Sequence, residues 1–269
     1  MAFPYLHADA FESGGVTGWT SETDTNSKLA VKHYTTLAGV GSAGFTPYRG
    51  AYALHIDLSL GTADAYLEET ANFDLALDAT FGLRFYLYAS GLVTAASDIF
   101  HLFALQSAGP VNEVSIGIRN NAGILELWAG ETGATRTTSL IQNAWHCSEL
   151  SGNIDVGGGN DGDINFFVDG EQVGAIVSTL DQAAITQARF GAFNIDAGTT
   201  AGHLILDGVI FDDLRIGPEL QRFPNSQIFT QSGHLFVGPG SVDSAAILST
   251  TADNTLYLRD LDAARKEGV

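Results

Sequence analysis

Apolar residues in this chain recur at every second position, and that period limits the folds open to it. In "TFGLRFYLYA" the side chains of Phe81, Leu83, Phe85 and Leu87 fall on one face of an extended strand, with Gly82, Arg84, Tyr86 and Tyr88 on the other. "VNEVSIGIRN" alternates the same way and turns Val114, Ile116 and Ile118 inward. "IFHLFALQ", Ile99 to Gln106, is apolar on both faces, as a strand between two layers is. Asn120 to Gly123 forms the corner into "ILELWAG", which makes an antiparallel hairpin, and "DINFFVDGEQVG", Asp163 to Gly174, is a second hairpin about an Asp-Gly corner. "WHCSELSG", "ARFGAFNI" and "HLILDGVIFDDLRIG" continue the style. Before residue 220 no segment carries a 3.6-residue apolar stripe, and the best candidate, "TLDQAAITQ" (Thr179 to Gln187), is at most two turns of helix in a connection. About a dozen short strands, with turn signals roughly every 8–12 residues, predict an all-β antiparallel sandwich or jelly roll.

The chain is long enough for a sizeable core: 269 residues, 45% of them hydrophobic, and 31 glycines to turn many short strands. Against 12 Lys and Arg stand 31 Asp and Glu, a formal charge of −19. A phosphate backbone repels such a surface, so nucleic acid is excluded as a partner, and an anionic membrane is disfavoured for the same reason. Cys147 is the single cysteine, which rules out an intrachain disulfide and a Cys-rich zinc site and suits a small buried hydrophobe. "MAFPYLHADAFESGG" has neither a basic start nor an apolar run of signal length, and no run approaches the ~18 apolar residues of a membrane span. The expectation is a protein made in a cytoplasm without a signal peptide.

The texture changes after Arg215. "GPELQRFPNSQ", Gly217 to Gln227, is polar and carries two prolines, as a linker does. Beyond it three short strands are predicted, His234–Val237, Ala245–Ser249 and Thr255–Arg259. The expected organisation is a sandwich over 1–217, a linker over 218–227 and a small C-terminal β module over 228–269. So short a module makes a marginal core and is expected to dock or oligomerise.

Several of these stretches, in this order, resemble the concanavalin A-like and laminin G-like jelly-roll superfamily. "FESGGVTGWT" (Phe11 to Thr20) looks like its opening strand and turn, and "WHCSEL", a glycine-rich loop and "INFFVDGEQVG" look like its late strands. "VIFDDLRIG" (Val209 to Gly217) resembles its closing strand, which pairs back near the N-terminus. The C-terminal "FVGPGSVDSAAILSTTADNTLYLRDLDAA" is similar to a small β module of tailed-phage structural proteins, with a Gly-Pro-Gly turn, an apolar strand, an Asn/Thr corner and a strand ending in Leu-x-Asp. That likeness implies a virion protein, made in the host cytoplasm and released on lysis.

Because the superfamily includes glycosidases, the carboxylates matter. A retaining glycosidase needs two carboxyl groups about 5–5.5 Å apart. The Glu-x-Asp-x-x-Glu or Glu-x-Asp-x-Glu run that supplies them in family-16-type enzymes does not occur here. Glu113, Glu126 and Glu149 stand alone on their strands, and Glu68 and Glu69 point to opposite faces, so each is expected on a solvated strand face. There is no Gly-x-Ser-x-Gly elbow, P-loop or His-Glu-x-x-His motif. The seven histidines are scattered, with His101 and His203 in apolar strands as structural, hydrogen-bonded residues. The chain reads as non-enzymatic.

For binding, the glycine-rich loop "NIDVGGGNDGD" offers calcium the oxygen ligands Asp155, Asn160, Asp161 and Asp163, without an EF-hand pattern; a solvated loop is the simpler reading, and no cofactor is expected. Exposed aromatic platforms for a sugar would be Tyr86, Tyr88 and Trp128, though sheet-to-sheet or subunit packing is the simpler reading; Trp19 and Trp145 are assigned to the core. The leading expectation is therefore a non-catalytic bacteriophage virion protein, a capsid decoration or cement protein. Its partners are capsid or other virion proteins and copies of itself. The alternative is a lectin-like, carbohydrate-binding module of a tail fibre or spike that recognises host glycans.

Overall fold

The computed structural model describes residues 7–39, 48, 50–70, 79–109, 111–130, 136–154, 162–174, 177–180, 184–199, 201–212, 214–218, 230–231, 234–235, 245–250 and 256–260. The chain divides into two compact units, Met1–Pro218 and Glu219–Val269. The first is an all-β sandwich of two antiparallel sheets.

In chain order the strands of the first unit are β1 (His7–Asp9), β2 (Ser21–Asp24), β3 (Leu29–His33), β4 (Tyr52–Asp57), β5 (Ala65–Glu69), β6 (Ala79–Val93), β7 (Ile99–Ser107) and β8 (Val111–Asn121). They continue as β9 (Ile124–Gly130), β10 (Arg136–Ser139), β11 (Trp145–Ile154), β12 (Gly162–Val168), β13 (Glu171–Gln172), β14 (Val177–Leu180), β15 (Ile185–Phe193) and β16 (Ala201–Asp212). One sheet runs β13-β12-β11-β6-β16-β4-β3, with β1 on β16 and β14 on β12, and is called sheet A below. The other, sheet B, runs β10-β9-β8-β7-β15-β5-β2. Neighbours far apart in sequence, such as β6 beside β16, are the crossovers of a jelly-roll-like fold.

The alternation read from the sequence sets the core. Phe81, Leu83, Phe85 and Leu87 of β6 and Val114, Ile116 and Ile118 of β8 are all buried between the sheets. They meet Phe100, Leu102, Phe103 and Leu105 of β7, and Leu204, Leu206, Val209 and Phe211 of β16. β1 pairs with Val209–Phe211, so the closing strand returns to the N-terminal end. Both expected hairpins form, and the Asp-Gly corner turns through two left-handed residues, Asp169 (φ 54°) and Gly170 (φ 85°), the geometry such a corner favours. Around "TLDQAAITQ" the described residues are strand, Val177–Leu180 and from Ile185 on, where a short helix was the nearest alternative. Helix among the described residues is one α-turn, α1 (Tyr34–Leu37), and a 3-10 turn at Leu58–Leu60.

The outward face of sheet A is covered. Residues 214–218 cross it as a strap: Arg84 Nη1 donates to Gly217 O at 3.0 Å, and Arg215 Nε lies 3.3 Å from Glu149 Oε2 with its guanidinium 3.5 Å from the centre of the Phe167 ring. Leu214 O passes so close to Gly82 that a Cβ there would collide with it. Tyr48 stacks on Tyr86, and Leu37, Ala53, Tyr88 and Ile205 make a small second cluster. The second unit contains β17 (Thr230–Gln231), β18 (His234–Leu235), β19 (Ala245–Thr250) and β20 (Leu256–Asp260), paired as β17-β18 and β19-β20.

Candidate functional site

Sheet B presents a different outward face. Following the register across its strands, one row reads Trp128 (β9), Gly117 (β8), His101 (β7) and Phe193 (β15). The next reads Gly130, Ser115, Ala104, Arg189 and, on β5, Glu68. A third holds Asn112, Gln106 and Gln187. Across the strands the rows step from large to small to large side chains, a shallow trough whose floor of Gly130, Ser115 and Ala104 is itself buried. Its floor of small residues lies between an aromatic wall and an amide wall, and its end is closed by the Arg189–Glu68 pair. Five strands spaced ~4.8 Å apart give it a length of about 19 Å.

Each wall is built by specific contacts. The Trp128 ring lies over Gly117, where a Cβ would strike both the indole and Phe100 O. The His101 ring meets Trp128 edge-on, with centroids 5.0 Å apart, and stacks on Phe193 at 5.3 Å. Opposite, Gln187 Nε2 donates to Gln106 Oε1 at 2.6 Å and Gln106 Nε2 donates to Asn112 Oδ1 at 2.5 Å. Arg189 Nε donates to Glu68 Oε2 at 2.8 Å, and its guanidinium sits 4.5 Å from the Tyr66 ring centre. Trp128, Phe193, Ser115, Ala104 and Gln106 are buried, while His101, Asn112, Gln187, Arg189, Glu68 and Tyr66 keep partial exposure.

Three buried polar atoms in this trough have no hydrogen-bond partner in the protein: His101 Nδ1, Trp128 Nε1 and Ser115 Oγ. Native structures satisfy nearly all such atoms, since each orphan costs about 1–3 kcal/mol. Burial pushes the His101 pKa down to about 4, so its imidazole is neutral at pH 7 and offers one donor and one acceptor nitrogen. The arrangement suits a ligand with hydroxyls to exchange hydrogen bonds and an apolar face to lie along rings.

The residues predicted from sequence are not brought together. Tyr86 and Tyr88 stand on sheet A and Trp128 on sheet B, and all three are buried rather than exposed platforms. Tyr86 lies under Tyr48, and Tyr88 packs 5.5 Å from Trp145. The isolated acids are not solvated either: Glu149 is fully buried against Arg215, Glu113 is buried, and Glu126 accepts from Arg119 Nε at 2.6 Å. Asp155, Asn160 and Asp161 lie outside the described residues. Asp163 is on β12 opposite Asn153, and partial burial raises its carboxyl pKa. Among the described residues no group of three or more His, Cys, Asp or Glu side chains is placed to hold a metal ion. His203 does find a partner, His55 Nε2 at 3.2 Å from its Nδ1, whereas His101 Nδ1 has none.

Sequence reasoning took His101 for a structural, hydrogen-bonded residue and passed over Gln106 and Gln187. The available signal was a histidine and a glutamine inside a strand apolar on both faces, and a glycine, Gly117, in the middle of another.

No family model matches this chain, and no curated protein matches it in sequence. Its fold has clear counterparts among solved structures. A cellulose-induced protein, Cip1, superposes with a TM-score of 0.51 at 16% identity, over 79% of this chain and 100% of that one. An endo-β-1,4-glucuronan lyase from the fungus Trichoderma reesei gives 0.53 at 16% identity over 77% and 95%, and an alginate lyase from Aplysia kurodai gives 0.52 at 12% over 80% and 99%. Two of these three are enzymes, which overturns the exclusion of catalysis argued from the missing carboxylate pair. That argument reaches only hydrolysis through two carboxyl groups; a lyase cleaves by elimination and does not use such a pair. What the three share with this chain is the two-sheet, jelly-roll-like sandwich.

Proposed function

We propose that this chain is a carbohydrate-active sandwich that holds a glycan in the trough on the outward face of sheet B. The carrying observation is the cluster of three unpartnered buried polar atoms, His101 Nδ1, Trp128 Nε1 and Ser115 Oγ, beside the partly exposed side chains of His101, Asn112, Gln187 and Tyr66. The sandwich it shares with a glucuronan lyase and an alginate lyase supports the reading. His101 is the partly exposed member of the aromatic wall. The test is a panel of immobilised and soluble glycans, with retention of the full chain read beside release of reducing ends or unsaturated products. His101→Ala should lower affinity at least tenfold. Failure of every glycan to bind or turn over would sink the reading.

We also propose that the second unit carries the sandwich on a virion as part of a fibre or spike, in contact with other virion proteins or copies of itself. The β19–β20 hairpin, whose second strand ends in Leu258-Arg259-Asp260, supports this through its likeness to phage structural modules. Mass spectrometry of density-purified particles from a lysate of the source tests it. A few copies per particle are expected, hundreds would favour a capsid-surface role, and recovery only in the soluble fraction would contradict a virion location. The loop with Asp155, Asp161 and Asp163 is proposed to be solvated and to need no cofactor, and titration with calcium, with and without a chelator, tests this.

A further inference from the structure

We infer that the glycan held in the sheet B trough is uncharged, a chain of neutral hexoses or N-acetylhexosamines rather than a polyuronate. This rests on the glycan reading above and goes beyond it in naming the ligand class. The argument is the balance of charge on this face among the described residues. Its two arginines are each neutralised by a glutamate at Nε: Arg189 is paired with Glu68 at 2.8 Å and Arg119 with Glu126 at 2.6 Å. Glu113 adds a third acid on β8, beside Asn112, and His101 is neutral. The strands of sheet B contain no lysine. A uronate reaching the Nη groups of Arg189 would meet a guanidinium already neutralised by Glu68, with that carboxylate beside it to repel the newcomer. It would do so inside a molecule of charge −19, whose field repels a polyanion at every distance of approach.

The amide wall fits hydroxyls instead. The relay Gln187→Gln106→Asn112 commits each internal amide group once and leaves Gln187 Oε1 as an acceptor at one end and Asn112 Nδ2 as a donor at the other. Both residues are partly exposed. A sugar hydroxyl both donates and accepts, so it can bond either end without bringing a charge.

The experiment uses the full chain and four hexasaccharides: β-1,4-linked glucose, β-1,4-linked N-acetylglucosamine, β-1,4-linked glucuronate and mannuronate. Each is titrated calorimetrically at low and at high salt. At least one neutral chain should bind at least tenfold more tightly than either uronate, with affinity changing less than twofold between the salts. Gln187→Ala should weaken it at least fivefold at unchanged melting temperature, while Glu68→Gln, which frees Arg189, should raise uronate affinity at least fivefold. Tighter binding of a uronate by the native chain overturns the inference and leaves the glycan reading standing. Binding of none of the four, with retention elsewhere on the wider panel confined to acidic glycans, also overturns it. Retention of nothing on that panel removes both.

Discussion

His55 and His101 are held neutral by burial, each with its pKa pushed down to about 4, and for His55 the positive neighbours Lys32 and His203 add to the effect. Unfolded, each would take a proton near its ordinary value of 6.5. Between about pH 6.5 and 4 the unfolded state therefore binds more protons, and stability falls as the pH drops. The loss is on the order of 3 kcal/mol per histidine at most. His146 has the opposite sign: burial alone would lower its pKa, but the hydrogen bond from its ring to Asp169 at 2.9 Å and the charge there raise it. Its contribution is present at low pH and fades as the pH rises through its raised pKa. Melting temperatures should thus decline from pH 6.5 toward 4, and His55→Asn should flatten the decline; a curve unchanged by that substitution would contradict the assignment. Burial also pushes the Cys147 thiol up to about 12, with Glu149 adding to the shift. A thiol so protonated and enclosed should resist maleimide labelling at pH 8 in the folded chain and label stoichiometrically in urea.

At the scale of strands, two interior glycines mark where the sheets meet other material. Gly117 makes room for the Trp128 indole, so Gly117→Ala should cost about 1–3 kcal/mol in urea denaturation and also abolish glycan retention. Gly82 lets the strap pass, and Gly82→Ala should lift residues 214–218 off sheet A. Trypsin cleavage after Arg215 would then accelerate, and an unchanged rate would mean the strap is not held there. Most of this layer was legible in the sequence. The inward residues of β6 and β8, both hairpins and the return of β16 to the N-terminus follow from period-two patterning, corner residues and resemblance. What alternation alone does not carry is the fate of the outward faces. Tyr86, Tyr88 and Glu149 read as surface because they oppose the core, yet Tyr48 covers Tyr86, the strap covers Glu149, and Tyr88 packs with Leu37, Ala53, Ile205 and Trp145, all of them covers from other segments.

For the molecule as a whole, the two sheets divide the work: sheet A is closed over by its own chain, and sheet B carries the trough. The same period-two rule predicted a sandwich, but it could not distinguish its two outer faces, and the expectation of a non-enzyme rested on the absence of a few short patterns, the carboxylate pair first among them. The second unit is compact by itself, so deleting residues 224–269 should leave the calorimetric transition of the sandwich within about 2 °C, a shift worth about 1 kcal/mol at most for a domain of this size. The central claim is that the outward face of sheet B is the ligand face. Hydrogen exchange of the full chain, with and without a saturating glycan found by the panel, tests it most directly. Protection should appear in β7, β8, β9 and β15 and be absent from β6, β11 and β16. Protection confined to the sheet A strands would contradict the account.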